Sequence, residues 1–162
     1  MTFRIREADL SRDKPALLSF IMGSQHFEYA IEPNRRLDEP VAAEHFDKLI
    51  AHLKEHGGAM FVAEDNSGAL LGWSVVGEIK GEAFVVEEER NFAYIFELFV
   101  VEGTRGQGVG RALIAPCEEW ARAGNYKSIQ IGVLAGNTRA AKIYREAGYA
   151  DYAIELRKYL RS

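Results

Sequence analysis

The 162-residue sequence contains one cysteine, Cys117, so no intrachain disulfide can form, which fits a reducing compartment. Positive charge is not in excess: 20 Lys and Arg against 24 Asp and Glu give a net charge of −4, the wrong balance for a general nucleic-acid binder. No apolar run approaches the length of a bilayer span. The opening stretch MTFRIREADLSRDK lacks a signal-peptide core. Repeats and low-complexity linkers are also missing. These absences predict a cytoplasmic protein of one domain, residues 1–162, with neither a membrane nor a nucleic-acid partner.

Hydrophobic periodicity supplies the positive content. Phe3 and Ile5 alternate with Arg4 and Arg6 as in a strand. Ser11 or Asp13 is expected to cap a first helix carrying Leu17, Leu18 and Ile21. The polar stretch FEYAIEPNRRLDEP reads as a loop. A second helix from about Val41 to His56 places Ala42, Phe46, Leu49, Ile50 and Leu53 on one face and ends at Gly57-Gly58. Asp65-Asn66-Ser67-Gly68 marks a hairpin between two strands. NFAYIFELFVV reads as a long central strand and GEAFVVEEER as a solvated hairpin end. A helix from Gly108 to about Ala123, with Pro116 inside it, precedes a strand in SIQIGVL. Asn137 then caps a short helix that Gly148 ends, and YAIELRKYL alternates as a final strand.

Gly106, Gly108 and Gly110 stand between the central strand and the following helix. The spacing fits neither a Walker A loop, since no Gly-Lys-Ser/Thr follows, nor the dinucleotide fingerprint, since its third small residue falls on Arg111 or Leu113. What remains is a helix N-terminus with unpartnered amides, bare backbone and two flanking arginines, a ready cradle for phosphate.

Arg105-x-x-Gly108-x-Gly110, preceded by ELFV, resembles the acyl-CoA-binding motif of the GNAT superfamily of N-acetyltransferases. GVLAGNTRAAKIYREAGY, with Asn137, Ala141, Tyr144 and Gly148-Tyr149, resembles the second segment of that superfamily. The likeness is clear over about residues 59–150. It implies a mixed α/β fold: a central, mostly antiparallel sheet of six to seven strands, splayed at the fourth and fifth and flanked by about four helices. It implies acetyl-CoA as co-substrate, no metal, and direct transfer of an acetyl group to a primary amine of a small molecule, peptide or protein. The alternative on the same fold is a non-catalytic acyl-CoA-binding regulatory module. The resemblance also allows a homodimer.

Carried over by residue, the pyrophosphate maps to Arg105, Gly106, Gln107, Gly108, Val109, Gly110 and Arg111. The pantetheine arm would pair with Phe99, Val100 and Val101, and a backbone N–H near Val100 would serve the oxyanion. Asn137 would bond the pantetheine or cap its helix. Arg139 would reach the phosphates or stay solvated, and Lys142 reads as a solvated helix charge. Tyr144 takes the place of the general acid facing the thiolate, and Glu97, the lone carboxylate of its apolar stretch, that of the general base. His26, Glu28, Tyr29 and Glu32, with Trp73 and Tyr152, are candidates for the acceptor side. Gly132 departs from relatives that carry a larger polar residue there.

Three features are set aside. His52-x-x-Glu55-His56 matches a zinc-protease pattern but lies off the apolar face beside a helix stop. Glu87, Glu88 and Glu89 read as a solvated turn. Cys117 falls on a buried helix face and reads as packing.

Overall fold

The computed structural model describes residues 2–160. Five strands form one sheet in chain order: β1 (Phe3–Glu7), β2 (Gly58–Asp65), β3 (Leu70–Lys80), β4 (Asn91–Val100) and β5 (Ile129–Ile131). The first four are antiparallel, whereas β5 runs parallel to β4 and is reached through helix α4 (Val109–Ala123). Helices α1 (Leu10–Tyr29) and α2 (Pro40–His56) follow β1, a single turn α3 (Glu87–Arg90) precedes β4, and α5 (Thr138–Glu146) follows β5.

The sheet separates two apolar layers, because successive side chains of a strand point to opposite faces. On one face α1 and α2 bury Leu17, Phe20, Ile21, Phe46 and Leu49 against Val62, Trp73 and Val75. On the other, α4 sets Val109, Leu113 and Cys117 against Ala63, Leu71, Val76 and Ile95. Each large apolar side chain buried in this way is worth about 1.5–3 kcal/mol. Ser74 tolerates burial because its hydroxyl donates to the Leu113 carbonyl at 2.9 Å. Cys117 is fully buried, its thiol pushed up to about 12 by desolvation, so it stays a protonated packing group.

Local signals explain most boundaries. Asp9, rather than Ser11 or Asp13, caps α1: its carboxylate accepts the Ser11 N–H at 3.0 Å. Asp13 is instead buried beneath Arg6, which reaches its carboxylate at 2.7 Å. Gly57 ends α2 at φ 86°, a backbone region that glycine enters without steric cost. Asp65 closes the hairpin by accepting the N–H groups of Ser67 and Ala69 at 2.8 and 3.0 Å. Pro116 lies inside α4 without ending it.

Two sequence expectations differ from the structure. Helix α1 continues through His26, Glu28 and Tyr29, which therefore stand on its last turn and not in a loop. Among the described residues the sheet has five strands, fewer than six to seven. The missing strand is the alternating C-terminal stretch: residues 151–159 have no regular secondary structure, and Tyr152, Ile154 and Leu156 are exposed. Alternation makes a strand only where a ladder is available. This segment is tied instead by side chains, Arg145 to Asp151 at 2.9 Å and Arg157 to Glu32 at 2.5 Å.

Candidate active site

Strand β4 holds the cleft open. Val75 pairs with Glu97 and Val76 with Ile95, so Phe96 is an extra residue in β4, a β-bulge. Strict alternation would place Glu97 on the same face as Ile95, under α4. The bulge turns it to the opposite face, shared with its partner Val75 and with α2. Beyond this point β5 leaves β4: the parallel ladder ends at Ile95 and Ile131. Residues 97–100 of β4 are thus paired on one side only. Val101 N donates to Leu71 O across β3 at 2.8 Å. The N–H of Val100, one residue earlier, therefore points the other way, to the open edge.

The space between the parted strands is a cleft of about 400 Å³. Its lining divides by charge. At one end lie Arg105, Gly106, Gly110, Asn137 and Arg139; at the other lie Ser24, Glu28, His45 and Glu97, with Phe99, Val100 and Tyr144 also on the wall.

The basic end is the start of α4. Ala112 N donates to Gly108 O at 3.0 Å as the first bond of the helix, which leaves the N–H groups of Val109, Gly110 and Arg111 without a helical partner. Gly106 and Gly108 have φ of 84° and 86°, and nothing stands within 4 Å of a Cβ built on Gly108. These two glycines answer a backbone requirement and leave room in front of the amides. Gly110 makes no such demand, since a Cβ there would meet Val100 at an ordinary 3.6 Å. Arg105 folds back to donate to the Val100 carbonyl at 3.0 Å and lies over the Phe27 ring at 4.9 Å.

Helix α5 contributes two more groups. Asn137 is its cap, accepting the Ala140 N–H at 3.2 Å, and the residue lines the cleft. The Tyr144 hydroxyl is pushed up to about 12, by burial first and then by the charges of Glu28 and Glu97. It remains protonated throughout the ordinary pH range.

At the acidic end, His45 Nε2 lies 2.5 Å from Glu97 Oε1, with the two side chains 36% and 13% exposed. The carboxylate raises the histidine above its usual value, more than burial and Lys48 lower it. Glu28 is held by Arg35 at 2.6 Å. Sequence reading overlooked His45. Its signal was a polar residue spaced three after Ala42 and four before Leu49, on the border of the apolar stripe of α2.

Other expected residues lie elsewhere. Trp73 is fully buried in the core between α1, α2 and the sheet, so it does not line the cleft. Tyr152 is 77% exposed and borders a separate depression beside Phe92 and Ile129. Tyr29 is exposed on the last turn of α1, and Glu32 is engaged by Arg157 and Tyr159. Val101 packs toward the α1 layer, and the Val109 side chain sits under α4, leaving only its backbone at the loop. Gln107 closes the loop on Gly103 O at 3.4 Å, and the Arg111 side chain is exposed. Gly132 has a local reason: a Cβ there would lie 2.6 Å from the Tyr94 hydroxyl. His52 Nε2 lies 2.8 Å from the Glu78 carbonyl, and its ring packs on His56 and Phe96.

A splayed β4–β5 pair with an amide-rich helix start beside it can be set against known proteins. The family model for the acetyltransferase (GNAT) family matches residues 24–149. The chain belongs to that family. Solved structures reproduce the fold over nearly the whole chain. A protein from Bacillus halodurans, solved as a point mutant, superposes with a TM-score of 0.84 at 20% identity, over 98% of this chain and 99% of that one. A predicted acetyltransferase from Clostridium acetobutylicum, solved with acetyl-CoA, gives 0.71 at 21% identity, over 98% and 97%. The glucosamine-6-phosphate N-acetyltransferase of Arabidopsis thaliana gives 0.67 at 15%, over 99% and 100%. At these identities the likeness is one of fold. No curated protein matches the chain in sequence. Among the described residues, no helix is long and apolar enough to cross a membrane, and no three His, Cys, Asp or Glu are gathered as a metal site.

Proposed function

We propose that the chain is an acetyl-CoA-dependent N-acetyltransferase acting on a primary amine of a small molecule, peptide or protein by direct attack. One observation carries this reading: the free amides of α4 and the carboxylate of Glu97 open onto one cleft, on either side of an unpaired strand edge.

The residues present fit the donor. The amides of Val109, Gly110 and Arg111 suit a pyrophosphate, with Arg105 and Arg139 beside them. The one-sided edge of β4 around Val100 can pair with an extended amide-bearing arm as an added strand would. Acetyl-CoA, when bound, supplies the reactive thioester.

The chain's own groups do the rest. Glu97 accepts a proton from the acceptor ammonium, freeing the lone pair that forms the new C–N bond. The outward N–H of Val100 donates to the carbonyl oxygen as charge builds there. Tyr144 donates to the departing sulfur as the C–S bond breaks.

Thiol release from acetyl-CoA across a panel of amines tests the reading. Turnover with one amine class supports it. Acetyl-CoA binding without acetylation of any amine would favour the regulatory module. Tyr144→Phe is expected to lower kcat by about 10²-fold with little change in acetyl-CoA affinity, measured by steady-state kinetics and calorimetry. Unchanged turnover removes Tyr144 as the donor. Gly108→Ala is expected to cost about 1–2 kcal/mol, because alanine is strained at φ 86°, and to weaken acetyl-CoA binding as the amides tilt. Wild-type affinity would remove the α4 start as the phosphate cradle.

A further inference from the structure

Glu97 does not stand alone. His45, from the other side of the cleft's acidic end, is in direct contact with its carboxylate at 2.5 Å, and both side chains line the cleft. The contact is selective. Glu97 is one residue past a bulge that turns it away from α4, and His45 occupies the one α2 position that borders both the apolar stripe and the cleft. Neither group is spent elsewhere: among the described residues, each has the other as its side-chain partner.

Given that the cleft transfers acetyl groups to amines, as proposed above, we infer that His45 and Glu97 accept the acceptor's proton as one unit, with His45 the positioning residue that sets the pH at which the unit is ready. At low pH the histidine is cationic and holds the carboxylate in an ion pair, which is a poor base. When the pair loses that proton, the imidazole is neutral and the carboxylate is free to take a proton from an ammonium. That proton is then shared across the 2.5 Å contact, which restores the ion pair. The two side chains are in direct contact, so the readiness of the base belongs to both.

The surroundings set the direction. From β4, Glu97 raises His45; from α1, Glu28 raises it further, although Arg35 holds that carboxylate; from α2 itself, Lys48 lowers it. Tyr144, from α5, faces the same two carboxylates and stays neutral. The balance lies above the ordinary value near 6.5 for a histidine. The acid limb of kcat/KM is therefore expected above about pH 6.5 in the wild type.

His45→Gln is the deciding variant, because its side-chain amide can still donate to Glu97 but cannot titrate. The acid limb of kcat/KM is expected to move to lower pH, because the raised histidine no longer gates the carboxylate, with a lower plateau. His45→Ala should lose both the position and the limb, and glutamine should recover part of the rate that alanine loses. Histidine-selective NMR on the free protein gives a reading independent of activity. His45 should titrate above its ordinary value in the wild type and fall back toward about 6.5 in Glu97→Gln.

Each failure is separable. A wild type that acetylates no amine overturns the acetyl-transfer reading, and this role with it. An active wild type whose limb stays in place in His45→Gln overturns the role of His45 alone. So does a His45 resonance that titrates at the ordinary value.

Discussion

Glu97→Gln is expected to reduce kcat for amine acetylation by about 10²- to 10⁴-fold, the usual contribution of a positioned general base. The substitution keeps the shape of the side chain and the possibility of a hydrogen bond with His45, so the loss falls on proton acceptance. Acetyl-CoA should bind as before, because the amides of α4 and the edge of β4 are untouched. The effect should be large because of where the carboxylate is. Its side chain is 13% exposed, past the bulge at Phe96, where the cleft shields it from bulk solvent. Steady-state kinetics at several pH values, with calorimetry for the donor, would decide it. A rate within a few-fold of wild type would assign the proton to a water chain and remove Glu97 as base.

Gly72→Ala should be the most damaging change outside the chemistry. A Cβ at this position on β3 would lie 2.3 Å from the Phe99 carbonyl oxygen and 3.1 Å from Val100 Cα. Both obstacles are backbone, so no side-chain rotation relieves them. Either β3 and β4 separate or the strand that carries Phe99 and Val100 shifts. Overpacking of this kind costs about 1–3 kcal/mol. For a chain of this size, each kcal/mol lowers Tm by about 2–4 °C. Acetyl-CoA affinity should fall too, since the backbone of Val100 presents the open edge. Gly103→Ala is the control, because a Cβ there meets nothing within 4 Å. A Gly72→Ala protein with wild-type Tm and wild-type affinity would contradict the close approach of β3 to the end of β4.

Much of the fold was legible because its signals are local. The stripe at Ala42, Phe46 and Leu49, the Asp65–Gly68 turn and the Gly57 stop each depend on a few neighbouring residues, and each is where the periodicity placed it. The loop from Arg105 to Gly110 was legible for the same reason: positive φ at Gly106 and Gly108 and a helix start are properties of short segments. Where reading failed, the deciding contact was distant in sequence. The last turn of α1 looked like loop, yet Arg35 reaches back to Glu28 and keeps that carboxylate at the cleft. Trp73 looked like a candidate for the cleft, but its face of β3 is the one that α1 and α2 cover. The stretch around Tyr152 alternates as a strand does, but no neighbouring edge pairs with it.

Composition, periodicity and glycine spacing by themselves determined a mixed α/β chain with a phosphate-suited helix start and a family resemblance. They also singled out Glu97 and Tyr144, because a lone carboxylate in an apolar strand and a motif tyrosine are visible in one dimension. Only the tertiary structure decided what those residues face. A single extra residue at Phe96 reverses the alternation of β4 and turns Glu97 from the α4 layer toward α2, where His45, 52 positions earlier, meets it. A bulge leaves no mark in the hydrophobic pattern, since Phe96 fits a strand whether or not it is paired. A contact between a helix border and a strand edge exists only once the sheet has brought both to the same cleft.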